Sequence, residues 1–246
     1  MALLIGLTLL CAACSSAPRE IRPPTVNPPR RLLFIGNSFT YYNGGIDRHV
    51  QQLAASTRSP RFLETDRATK GGATLRILHG LGSVHERIRD GRHDIVILQE
   101  DIPELTEHNV APFLEHVRLF DREIRGAGGR TALFMAWPYG RLNWATLEQI
   151  EQAHRAISRE LGIPVAPVGV AFRNAKKTRP GLAMLGPDKE HETVHGSYLA
   201  ACVIASAVLG LNPEGATYHP PGVSAEEATF LQHIATVTVK EWNRTR

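Results

Sequence analysis

With 246 residues and 43% hydrophobic content, the chain can bury one sizeable core but falls short of two large domains. Its net charge of +4, from 28 Lys and Arg against 24 Asp and Glu, comes from scattered residues. There is no dense basic block and no basic strip interleaved with aromatics, which excludes nucleic acid as the expected partner. Of the three cysteines only Cys202 lies beyond the first residues, so no intrachain disulfide framework is expected.

The chain opens on MALLIGLTLLCAACSSAP, an apolar run closing on small residues. It is too short for a spanning helix and is shaped like the apolar region of a secretory signal. CAAC sets Cys14 behind two alanines and resembles the lipobox of bacterial lipoproteins, although Cys11 stands where leucine is usual and no Lys or Arg follows Met1. Residues 1–13 are expected to be removed and Cys14 to be acylated, anchoring the protein in the bacterial cell envelope; secretion without a lipid is the alternative. Each buried CH₂ of such chains contributes about 0.8 kcal/mol, so several chains hold where one is marginal. Residues 14–30, rich in proline, read as an extended tether, and the folded domain is expected over 31–246.

Short apolar runs then alternate with amphipathic ones, the pattern of a parallel sheet wrapped by helices. RLLFIG (31–36) reads as a buried strand, followed by a helix from about Gly45 to Thr57. RFLETD reads as a second strand. Leu75, Leu78, Leu81, Val84 and Ile88 give one helical face over Thr74 to Arg89. DIVIL (94–98) is the clearest central strand. After it come a helix over Pro112 to Arg125, a strand at TALFMAW, a helix from Trp144 to Leu161, a short strand near IPVAPV, and helices over Gly196 to Leu209 and Ser224 to Asn243. Cys202, inside the apolar YLAACVIASAVLG, reads as a buried, inert thiol. Ligands of such sheets bind at the carboxyl ends of the strands, which points to the loops after Ile35, Leu98 and Ala136.

FIGNSFTYYN follows the first strand. A glycine at the turn and a serine beyond it can expose a hydroxyl, yet the same pattern is ordinary turn and cap chemistry. Near the other end, DKEH places Asp188 and His191 three apart, a spacing that puts both on one side of a turn. A serine needs such an imidazole as base, and the imidazole needs a carboxylate to fix its tautomer.

LLFIGNSF, KGGATL, HDIVILQ and DKEHETVHGSYLAA, in this order, resemble the successive blocks of the SGNH/GDSL hydrolase superfamily, in a bacterial branch with G-N-S for G-D-S. The resemblance implies a three-layer α/β/α sandwich with a central parallel sheet, flavodoxin-like in appearance, and a serine esterase or acylhydrolase that needs no cofactor or metal. It implies Ser38 as nucleophile, His191 as base and Asp188 as the acid that orients it. The oxyanion hole would be the N–H of Ser38, the N–H of Gly72 (with Gly71 as neighbouring possibility) and the side-chain amide of Gln99, which ends the strand where the family has G-x-N-D. The residue after the base, usually proline, is Glu192. Asn37, Tyr41 and Trp137 are candidates for the substrate cleft, with Tyr42, Tyr139 and Trp144 beside them; core packing is the competing reading for these aromatics. The ester itself, an acetyl or acyl ester of carbohydrate or lipid suited to the envelope, is not specified by any residue.

Two other readings remain. HETVH (191–195) spells the zinc-protease pattern H-E-x-x-H, but charged residues precede it where that helix is apolar, and Glu214 and His219, the available third ligands, sit in no recognisable signature. A noncatalytic glycan-binding or scaffold lipoprotein would keep the fold without depending on Ser38. His79, His85, His93, His108, His116, His154 and His233 are expected to take surface or packing roles, since their spacing suggests no metal cage.

Overall fold

Five parallel strands form one sheet in the order β2-β1-β3-β4-β5: β1 (Arg31–Gly36), β2 (Glu64–Thr69), β3 (Ile95–Gln99), β4 (Arg130–Phe134) and β5 (Val165–Ala166). The computed structural model describes residues 28–102 and 110–245; Cys14, the signal segment and most of the tether lie outside the described residues. The central strands β1, β3 and β4 are apolar along almost their whole length, as strands covered on both faces must be. Edge strand β2, ETDRAT, buries only Ala68 well.

Helices cover the sheet in two groups. The first is α2 (Ile46–Ser56), α7 (Val168–Thr178), α8 (Val194–Leu209) and α9 (Ala225–Arg244). The second is α3 (Leu75–His79), α4 (Gly82–Gly91), α5 (Ala111–Gly126) and α6 (Leu147–Leu161). The result is the expected α/β/α sandwich. α8 lies between α2, α7, α9 and β5, and that enclosure explains why it is apolar on every side, with Cys202 fully buried and its thiol pushed up by burial. Among the described residues, no helix is long and apolar enough to cross a membrane.

Strand β2 starts three residues later than RFLETD, and two helical elements differ from the sequence reading. The single helix expected over Thr74 to Arg89 is broken: α3 ends at Gly80, whose N–H is shared by the carbonyls of Arg76, Ile77 and Leu78, and Leu81 takes an extended conformation as cap of α4. One apolar stripe runs across both pieces because Leu75, Leu78, Val84 and Ile88 are all buried in the same core. α7 is absent from the sequence reading. It starts behind Pro167 without a side-chain cap, so only the i, i+3, i+4, i+7 spacing of Val168, Ala171, Phe172 and Ala175 marks it.

The strand order reverses about β1 and β3, the place where such sheets bind ligands. The carboxyl ends of β1, β2, β3 and β4 lead to Ser38, Gly72, Glu100 and Trp137 respectively.

Candidate active site

β1 ends at Gly36, where a glycine is required by close approach: a Cβ there would lie 2.4 Å from Thr40 Oγ1 and 2.6 Å from Gln99 Oε1. Asn37 then caps the one-turn helix α1 (Ser38–Tyr41) by accepting the N–H of Phe39 through Oδ1, and donates through Nδ2 to Asp101 Oδ1 at 3.0 Å. That pair of bonds gives a physical reason for asparagine. An aspartate could cap the turn equally well but would face the Asp101 carboxylate without a proton to donate. Tyr139 Oη donates to the same Asp101 oxygen at 2.7 Å, and burial and the Asp101 charge push its hydroxyl far above the usual phenol range, keeping it a donor.

Ser38 is brought to the acid–base segment from the far end of the chain. Its Oγ lies 2.9 Å from His191 Nε2, and His191 Nδ1 lies 2.8 Å from Asp188 Oδ2. Asp188 Oδ1 accepts the backbone N–H groups of Glu190 and His191. The Glu190 N–H, followed by the His191 side chain, holds the Asp188 carboxyl below its ordinary range, so an anion faces Nδ1. Nδ1 therefore carries a proton and Nε2 is left with a lone pair towards the hydroxyl, the arrangement a serine base requires.

The segment bearing Asp188 and His191 is a hairpin. Leu185 and Glu192 form an antiparallel bridge, Gly186 N–H donates to the His191 carbonyl, and Thr193 N–H to that of Met184. The loop after β4 holds its tip: Trp137 Nε1 donates to the Glu190 carbonyl, Gly140 N–H to that of Lys189, and Arg141 pairs with the Glu190 carboxylate. Trp137 is therefore not a cleft wall. It is 2% exposed, stacked between Phe39 and Phe172, and supports the hairpin from below. Asn37, 1% exposed, is likewise occupied in capping and not in lining a cleft. Tyr41 remains exposed. Tyr42 is the side chain that the sequence reading undervalues: exposed, its ring stacks on His191 at 4.4 Å, while Phe39 meets the imidazole edge-on at 5.6 Å.

Gln99 is also placed differently from expectation. Its Oε1 accepts the N–H of Asn37 at 2.9 Å and the hydroxyl of Thr40, while Nε2 donates to the Glu100 carbonyl at 2.6 Å. Backbone donor and backbone acceptor together fix which way the amide points, and one of the two Nε2 hydrogens is taken up by the Glu100 carbonyl. Gln99 ties the end of β3 to the Ser38 turn. The N–H groups of Ser38 and Gly72 donate to no acceptor among the described residues. Gly72 adopts a left-handed φ of +62° in the loop after β2, the strand beside β1.

Two further groups lie next to His191. Glu192 is 2% exposed; its Oε1 accepts the Ser197 hydroxyl, which accepts Asn43 Nδ2. Burial pushes its acid up to about 8. His195 sits in the first turn of α8 with Nε2 3.3 Å from Glu227 Oε2. Thr193 caps that helix, so His191 precedes it and the two histidines of HETVH do not share a helical face. The only group of three or more His, Cys, Asp or Glu side chains spaced for a metal among the described residues is elsewhere, at His79, His85 and Glu123.

No protein-family model matches the chain, and no curated protein matches it in sequence. Solved structures do. A protein of Slackia heliotrinireducens assigned to the SGNH hydrolases aligns with TM-score 0.59 and 22% identity over 72% of this chain and 98% of that one. A DUF4886 family protein from Bacteroides uniformis aligns with TM-score 0.68 and 17% identity over 86% and 95%. A single-site variant of an acetyl xylan esterase from Geobacillus stearothermophilus aligns with TM-score 0.59 and 19% identity over 72% and 93%. The chain thus has the SGNH hydrolase fold.

Proposed function

We propose that the protein is a serine ester hydrolase in which Ser38, His191 and Asp188 act as nucleophile, base and orienting acid. The observation that carries this reading is the continuous line Asp188 Oδ2, His191 Nδ1, His191 Nε2, Ser38 Oγ, with contacts of 2.8 and 2.9 Å. In this reading Ser38 Oγ attacks the ester carbonyl carbon as its proton passes to His191 Nε2. The carbonyl oxygen, now negative, accepts the unspent N–H groups of Ser38 and Gly72. Cleavage of the C–O bond releases the alcohol with the proton from His191, and a water deprotonated by the same nitrogen splits the acyl-enzyme. Each oxyanion donor of this kind contributes on the order of 10²- to 10³-fold in rate.

Likeness to the acetyl xylan esterase supports acetyl esters of carbohydrates as the first substrates to try, and the partial exposure of Ser38 beside the exposed rings of Tyr41 and Tyr42 suits a substrate that extends beyond the site. Lipidation of Cys14 at the envelope is part of the same proposal. A fluorophosphonate probe followed by peptide mass spectrometry tests the centre: an adduct is expected on Ser38 and is lost in His191→Ala. Esterase turnover that survives in a folded Ser38→Ala protein defeats the assignment, and a folded wild type that takes no adduct returns the chain to the noncatalytic reading.

A further inference from the structure

Away from Ser38, on the layer formed by α3, α4 and α5, three side chains converge that the triad does not use. His79 ends α3, His85 is on α4 and Glu123 is on α5, and their ligand atoms all lie within 4.8 Å of one another. We propose that they bind one divalent transition-metal ion of the zinc class, clamping α3 and α4 to α5.

Three observations support it. First, His85 Nε2 lies 2.7 Å from the His79 backbone carbonyl. A carbonyl only accepts, so that nitrogen carries the proton and Nδ1 is the coordinating atom. Histidine ligands commonly have their second nitrogen held in this way by a carbonyl or carboxylate, which fixes tautomer and ring orientation. Second, His85 Nδ1 points between the two Glu123 oxygens at 2.9 and 2.8 Å. Such an approach needs one positive charge between imidazole and carboxylate: a proton supplies it in the ion pair of His85 and Glu123, and a metal at about 2.0 to 2.2 Å from nitrogen and oxygen takes that proton's place once the two groups part. Third, the His79 ring has no hydrogen-bond partner among the described residues, although it is held edge-on against His85 at 4.9 Å and Phe120 at 5.0 Å.

A fourth position falls to water or to His116, whose ring lies 5.7 Å from that of His79 and whose Nδ1–H donates to the Pro112 carbonyl, leaving the Nε2 lone pair to coordinate. Two imidazoles and one carboxylate suit Zn²⁺ and its neighbours, and disfavour the oxygen-seeking Ca²⁺ and Mg²⁺. The side chains of His85 and Glu123 are 30% and 28% exposed, so an ion can enter from solvent. The expected consequence is a fixed orientation for α3, whose first N–H is also held by Glu100 at the end of β3.

The test is calorimetric titration of the untagged, metal-stripped full chain with Zn²⁺, followed by Co²⁺ and its visible absorption. One equivalent per chain is expected, with a raised Tm. His79→Ala and His85→Ala are each expected to weaken binding roughly tenfold or more, as is Glu123→Gln, which preserves size and guards against loss of folding in the others. His191→Ala and His195→Ala are expected to bind as the wild type does. Absence of a stoichiometric site in folded wild type, equal binding by the three cluster variants, or loss of binding in the His191 or His195 variant each overturns the proposal.

Discussion

Side-chain by side-chain, the parts of the site that were legible in the sequence are those whose geometry is local. Asp188 and His191 lie three apart in one turn, so a motif captures their relation. Gln99 shows the opposite case: whether its amide faces a ligand or the protein is decided by the Asn37 N–H, 62 positions away, and no spacing rule contains that. Gln99→Ala strands this buried N–H and the Thr40 hydroxyl, and is expected to cost about 1–3 kcal/mol of stability, measured by chemical denaturation. A variant as stable as wild type with selectively reduced turnover would return Gln99 to the oxyanion site. Glu192 allows a second test. The folded protein keeps its proton up to about pH 8, whereas the unfolded chain releases it near 4.5. Its contribution to stability is therefore complete below that lower value and falls as pH rises towards the upper one. Glu192→Gln, neutral throughout, is expected to remove roughly 3 to 5 kcal/mol of decline across this window; an unchanged slope in the variant would place the titrating acid elsewhere.

At the scale of elements, the hairpin that carries the proposed acid and base depends on α8 for its position. Gly196, in the first turn of α8, would bring a Cβ within 2.4 Å of the Met184 carbonyl and 2.8 Å of Glu192 Cβ. Alanine is the better helix former by about 1 kcal/mol, yet here it wedges the helix from the hairpin, at a cost of about 1–3 kcal/mol. Gly196→Ala is thus expected to lower both Tm and kcat, because the displaced strand ends on His191; a gain in Tm with full activity would show that the contact gives way freely. Elements with a long periodic stripe and a capping signal, such as α9 with its Ser224 and Glu227 capping box, were readable from the sequence. α7 has neither a long stripe nor a cap, and the α3–α4 break is hidden by a stripe that continues across it. The His79, His85 and Glu123 cluster was illegible for a related reason: three helices contribute one ligand each, and only their packing against one another makes the set.

For the whole molecule, the fold was legible because buried parallel strands alternating with amphipathic helices have few other arrangements. The proposed acylation of Cys14 would hold the whole domain at a lipid surface. Cys14→Ser is expected to shift the protein from detergent to aqueous phase while leaving turnover unchanged; a wild type that already partitions into the aqueous phase removes the anchor. The separation of 153 positions between Ser38 and His191 has a consequence for the life of the polypeptide. During synthesis the serine emerges early and remains an ordinary alcohol until the hairpin has docked between α8 and the loop after β4. Under the proposed mechanism, a fragment that ends before the hairpin lacks the base that activates Ser38 and is expected to be chemically silent.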